Sequence, residues 1–153
     1  MRTILSLVTF GLVLWLTPVM GGTGKVAKVL PQFLDREGRQ SLTPSLYDRD
    51  AYQAQLRLHP EQRSGICYNI RFKTKGPFYE SVKLRVELRG MAHGDLPSQR
   101  TTEKVIEPSG FLGNWTAVYL RGKEYEDFGE VTAWRVSLWE GGHILSAQQS
   151  FLW

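Results

Sequence analysis

The sequence predicts an all-β fold, an antiparallel β-sandwich of about seven strands, and three observations point there. Ile66, Tyr68, Ile70 and Phe72 alternate with Cys67, Asn69 and Arg71, the period-two signature of a strand with one face in the core. Val82, Leu84, Val86 and Leu88 alternate in the same way with Lys83, Arg85, Glu87 and Arg89. Gly, Pro and Asn punctuate the rest of the chain at short intervals, leaving room for strands rather than long helices. With 153 residues, 42% of them hydrophobic and 22% charged, the chain has the makeup of one globular core. That composition argues against disorder and against a polytopic membrane protein.

The elements follow in chain order. Arg2, the uncharged run from Ile4 to Leu16, Thr17-Pro18 and the small residues from Gly21 to Gly24 have the order of a secretory signal. Residues 1–22 are therefore read as a signal peptide cleaved between 21 and 24, and 23–153 as a single exported domain, periplasmic or extracellular, with no stable membrane insertion after cleavage. Loss of Arg2 leaves 18 basic against 15 acidic side chains, a net charge of about +3 that is scattered along the chain and excludes a nucleic-acid partner. Val26–Leu30 reads as a first strand and Asp35–Gly38 as a turn. Thr43 is then an N-cap, with Pro44 at the first helical position. Tyr47, Ala51, Ala54 and Leu58 recur at helical spacing before His59-Pro60 ends the pattern. An amphipathic helix over about 44–58 is expected to pack that stripe over an edge or open end of the sheets.

Gly76-Pro77 turns the chain between the two alternating strands, and weaker strand patterns follow at Thr101–Glu107 and Trp115–Arg121. Gly122–Gly129 is a polar connection. Val131–Trp139 and Ile144–Trp153 then flank Gly141-Gly142 as a hairpin. With Glu140 opposite His143, the register sets Leu138 against Leu145, Val136 against Ala147, Trp134 against Gln149 and Thr132 against Phe151. Trp134, Val136 and Leu138, alternating inward ahead of the glycine pair, resemble the last hairpin of an immunoglobulin-like or fibronectin III-like sandwich. Asp127-Phe128-Gly129-Glu130-Val131 resembles the Asp-x-Gly-x-Tyr corner of immunoglobulin domains. Val131 replaces the corner tyrosine and Ala133 the second cysteine. The resemblance spans about 25 residues and implies an architecture, with no function carried over.

Catalytic groupings are thin. His59, His93 and His143 have no metal-binding spacing, and fingerprints for nucleotides, phosphates or nucleophilic serines are absent, so no catalytic residue, metal or cofactor is assigned. His93 and Asp95 are the one pairing that a small extracytoplasmic hydrolase could use. Cys67, the single cysteine, reads as a packing residue that has no partner for an intrachain disulfide. Binding is the better-supported class. Trp139 and Ile144 are cross-strand neighbours on the outward face of the hairpin, a place for a sugar ring or a protein partner. Arg71, Lys73, Lys83, Arg85 and Arg89 lie on outward faces that could merge into a basic stripe, broken by Glu87, for an anionic glycan or lipid surface. Trp115 and Trp134 are assigned to the core and Trp153 to the end of the last strand. Asn114-Trp115-Thr116 is an N-glycosylation acceptor sequence in a eukaryotic source. The expectation is an exported, non-catalytic β-sandwich that binds a protein or glycan partner, in an oligomeric state the sequence leaves open. Its alternatives are a carbohydrate-binding module built on exposed aromatics, the hydrolase, and an accessory subunit that docks through a free sheet edge or the helix.

Overall fold

The computed structural model describes residues 21–108 and 112–153. The signal-peptide reading rests almost entirely on residues outside that set. Seven strands are present: β1 (Thr23–Asp35), β2 (Arg63–Lys75), β3 (Val82–Ala92), β4 (Leu96–Val105), β5 (Asn114–Arg121), β6 (Glu130–Glu140) and β7 (His143–Gln149). Among the described residues, two α-helices interrupt them, α1 (Leu46–Leu58) and the short α2 (Lys123–Phe128), with a single 3-10 turn at Pro60–Gln62. The strands form two antiparallel sheets, a three-stranded one ordered β1-β2-β5 and a four-stranded one ordered β4-β3-β6-β7. Among the described residues, no helix is long and apolar enough to cross a membrane.

The alternating rows that predicted the strands meet between the sheets. Ile66, Tyr68, Ile70 and Phe72 of β2 face Val82, Leu84, Val86 and Leu88 of β3, joined by Val118 and Leu120 of β5 and Val136 and Leu138 of β6. Their removal from water supplies the main driving force for closure of the sandwich. Trp134 packs against this core and meets Tyr68 edge to face, ring centres 6.3 Å apart. β1 continues beyond its expected end at Leu30, through Pro31, because it is an edge strand and can spare a ladder hydrogen bond. Ile106 follows β4 into the core, and Phe128 closes one end of the sandwich from α2, an element the polar stretch 122–129 did not announce. Gly129, at φ +77°, lies so close to β3 that an added Cβ would stand 2.1 Å from the Met91 carbonyl oxygen; only glycine fits there.

Four expectations are corrected. The hairpin pairs Glu140 with His143 and Trp139 with Ile144, but a bulge at Leu145 then sets Leu138 against Ser146, Ser137 against Ala147, Val136 against Gln148 and Arg135 against Gln149. β7 ends at Gln149, so Trp153 lies past the strand in a turn, under the Arg89 guanidinium at 4.0 Å. The helix is capped by Ser45, whose side chain accepts from the Asp48 amide, and not by Thr43.

The fourth correction concerns which face of the helix is buried. Tyr47 and Leu58 are 82% and 78% exposed, and Ala51 and Ala54 are exposed with them, while Gln53 and Leu56 are buried. Gln53 explains the rotation. Its Oε1 accepts from the Phe33 amide at 2.8 Å and its Nε2 donates to the Phe33 carbonyl at 2.9 Å, so a side-chain amide completes the open peptide of edge strand β1. Arg63 fastens the other end by donating to the carbonyls of Leu56 and Arg57 while its guanidinium covers the Phe33 ring at 4.0 Å.

Candidate functional site

The outer face of the three-stranded sheet carries three side-chain rows set by the strand registers. Gln32, Cys67 and Tyr119 lie in line across β1, β2 and β5; Leu30, Asn69 and Ala117 form the next row; Lys28, Arg71 and Trp115 form the third. Alternation puts all of them on the side away from the core. The segment between β1 and α1 folds back over the rows and turns this face into a groove of about 650 Å³, within the range of small-molecule sites. Its floor is Leu30, Gln32 and Asn69, its far wall runs from Gly38 through Pro44 to Arg49, and Trp115 and Tyr119 stand on the β5 side.

An amide network holds the groove in shape. The Asn69 side-chain nitrogen donates to Gln32 Oε1 at 2.8 Å and to Gln40 Oε1 at 2.9 Å, while its oxygen faces the Cys67 thiol at 3.7 Å. Gln40 is held a second time, its carbonyl accepting from Gln53 Nε2 at 2.9 Å, so the helix that seals β1 also secures the wall. Thr43 donates to Asp48 Oδ2 at 3.1 Å and ties the end of the wall to the first turn of α1. Cys67 is fully buried beneath this network. Burial pushes its thiol pKa up, against the pull of hydrogen bonds with Tyr119 and Gln40, and so favours the neutral thiol. Tyr119 is pushed up in turn, first by Cys67 and then by burial.

Unpartnered N–H donors gather around the groove. Asn69 fixes both glutamines with their oxygens inward, so the Gln32 NH2 group has no partner among the described residues, nor have the Arg49 guanidinium and the Trp115 indole N–H. Among the described residues, no carboxylate lines the groove. Trp115 is 53% exposed and Tyr119 44%. Trp115, assigned to the core from sequence, thus stands on the outside, because the inward positions of β5 are Val118 and Leu120.

The residues singled out from sequence fall on two opposite surfaces. Arg71 and Lys73 belong to β2 and flank the groove on the three-stranded sheet, whereas Lys83, Arg85 and Arg89 belong to β3 in the other sheet. One continuous stripe is therefore excluded: Gly76-Pro77 carries the chain from one sheet to the other, not around a hairpin. On the four-stranded face the cations are matched. Arg85 meets Glu103 at 2.7 Å, Lys83 reaches the same carboxylate at 4.0 Å, and Arg89 covers Trp153. Trp139 does pair with Ile144, which is 46% exposed, but its ring lies under Arg85 at 4.4 Å and its N–H is spent on Ser137 Oγ at 2.7 Å. Arg71 donates to the Leu112 carbonyl at 3.4 Å.

His93 and Asp95 occupy the β3–β4 turn with Gly94 between them, both exposed, and Asp95 has the left-handed φ of +57°. His93 borders a depression of about 290 Å³ with Arg63, Tyr125, Glu126 and Glu130, which Asp95 does not line. Among the described residues, no group of three or more His, Cys, Asp or Glu side chains is placed to hold a metal ion. Sequence reasoning missed Gln32, Gln40, Arg49, Asn69 and Tyr119. The available signal was the outward position of Asn69 and Tyr119 in the alternation of β2 and β5, which says nothing of the loop and helix that bring Gln40 and Arg49 to them. A scan against protein-family models, a search of the curated proteins and a search of the solved structures each returned no match.

Proposed function

We propose that the protein is an exported, non-catalytic β-sandwich binding module whose site is the groove on the β1-β2-β5 face. The observation that carries this reading is the preformed wall. Gln40 and Gln53 fix a loop over an exposed aromatic pair before any ligand arrives, which lowers the ordering cost of binding. Export is supported by Arg2 and the apolar run after it. The strand order, β1-β2-β5 against β4-β3-β6-β7, supports a fibronectin III-like arrangement within the sandwich class. The hydrolase alternative has less behind it, since His93 and Asp95 do not converge on one pocket. The Trp139 surface is the weaker of the two aromatic candidates because Arg85 already occupies a face of that ring.

The test fills the groove. Gln32→Trp keeps the β1 backbone and places a bulky ring on the floor. Immobilised wild-type protein is expected to retain material from the secreted fraction of its source that the variant does not, with circular dichroism unchanged. Equal retention by both would reject the groove. Hydrolysis of ester, peptide or glycoside substrates that disappears in His93→Ala would reinstate catalysis.

A further inference from the structure

We infer that the groove takes a saccharide carrying an acidic substituent, with Trp115 as its stacking platform and Arg49 as the partner of its charge. This rests on the binding-module reading above and names the ligand class of that site. The argument begins with the surplus of donors. Gln32, Arg49 and Trp115 offer N–H groups that find no acceptor among the described residues, and the lining holds no carboxylate, so the complementary ligand is rich in acceptor oxygens. Among the described residues, Arg49 is the one charged lining residue and makes no ion pair, whereas Lys83, Arg85 and Arg135 of the opposite sheet face Glu103 and Glu87. A guanidinium is suited to the planar oxygen pair of a carboxylate, and serves a sulfate as well.

The second half of the argument is shape. Trp115 and Tyr119 are four residues apart on one strand and face the same way, about 13 Å apart along it by the rise of a β-strand. Ala117 between them is small and leaves an open bed. Flat apolar rings beside a row of amides and the hydroxyls of Ser41 and Thr43 match a ligand that is apolar on its ring faces and polar at its edges. A sugar ring has that distribution of surface. An extended acidic peptide would also bring oxygens, but it has no face to lay on Trp115 and would leave the amide row to its own side chains.

Titration calorimetry of the purified protein tests this with four probes: a short oligouronate, its carboxyl-reduced counterpart, a sulfated oligosaccharide of the same backbone, and a polyglutamate peptide. The oligouronate or the sulfated probe is expected to bind at least about tenfold more tightly than the reduced one, and the tighter of the two identifies the acidic group. Trp115→Ala is expected to weaken that binding about tenfold, and Arg49→Gln to erase the preference for the charged probe; Trp115 is exposed and Arg49 half-buried, and unchanged melting curves show that the variants fold. Equal binding of charged and reduced probes removes the role of Arg49. Binding of polyglutamate alone, abolished by Gln32→Trp, overturns the saccharide inference and leaves the groove as the site. Binding of any probe that survives Gln32→Trp undiminished overturns the binding-module reading itself.

Discussion

Asp35 stands where β1 gives way to the groove wall, and four donors converge on it. Its Oδ1 accepts from the amides of Glu37 at 2.9 Å and Arg39 at 2.8 Å, and its Oδ2 from Arg39 Nε at 2.9 Å and the Tyr52 hydroxyl at 2.7 Å. Burial alone would raise its pKa, but the Arg39 amide, the Tyr52 hydroxyl, the Arg39 guanidinium and the Glu37 amide together hold it at about 2, below the ordinary 3.8. A carboxyl depressed in the folded state stabilises that state fully above its unfolded pKa and loses the contribution as the pH falls through 3.8 toward 2. The difference is worth roughly 2 kcal/mol. Asp35→Asn should therefore lower stability by about that amount at pH 7, with the gap to wild type closing as melts are taken down toward pH 2. A gap independent of pH would show that the charge of the carboxylate is not what secures the corner. Asp35 was legible in the sequence as the start of a turn. Its four partners were not, because Tyr52 comes from a helix whose orientation the apolar pattern misread.

That misreading belongs to the scale of the element. Apolar periodicity locates a helix well, and the expected 44–58 lies close to the observed Leu46–Leu58. It finds the buried face only when burial is driven by apolar area. Here the docking is set by a glutamine that answers an unpaired peptide, a demand that arises in β1 and leaves no trace in the helix sequence. Two substitutions separate the readings. Gln53→Ala leaves the Phe33 amide and carbonyl and the Gln40 carbonyl without their partner, and should cost on the order of 2 kcal/mol in chemical denaturation. Ala54→Glu, on the stripe expected to face the sheets, should stay within about 0.5 kcal/mol of wild type. The reverse ranking would return the helix to its expected face. The hairpin has a similar history. Its turn and first two pairs were readable, but a bulge puts two residues opposite one, and the strict alternation used to extend the register has no place for the extra residue at Leu145.

Over the whole molecule, the alternating strands were the most legible feature, because one buried face per strand is what a two-sheet core requires. The groove was the least legible. It gathers residues from β1, β2, β5, the following loop and α1, and their proximity exists only once the sheet order is known. The same order splits the outward cations between two faces that point apart, one carrying the groove and the other a self-paired charge lattice. Since both sheets bury their inner rows in one shared core, neither has an interior of its own to fall back on. Tryptophan fluorescence and far-ultraviolet circular dichroism should accordingly follow a single coincident urea transition. Separate midpoints would mean that the sheets hold together independently.

The seal that Gln53 places on β1 reaches beyond one folded chain. An uncovered edge strand is a template on which another copy can lay its own strand, and proteins blunt such edges with charges, prolines, bulges or covering elements. β1 has Pro31, a bulge at Ala27, and α1 lying across Phe33. Loss of the helix's grip is accordingly expected to be felt first as self-association in concentrated solution, ahead of any loss of the sandwich.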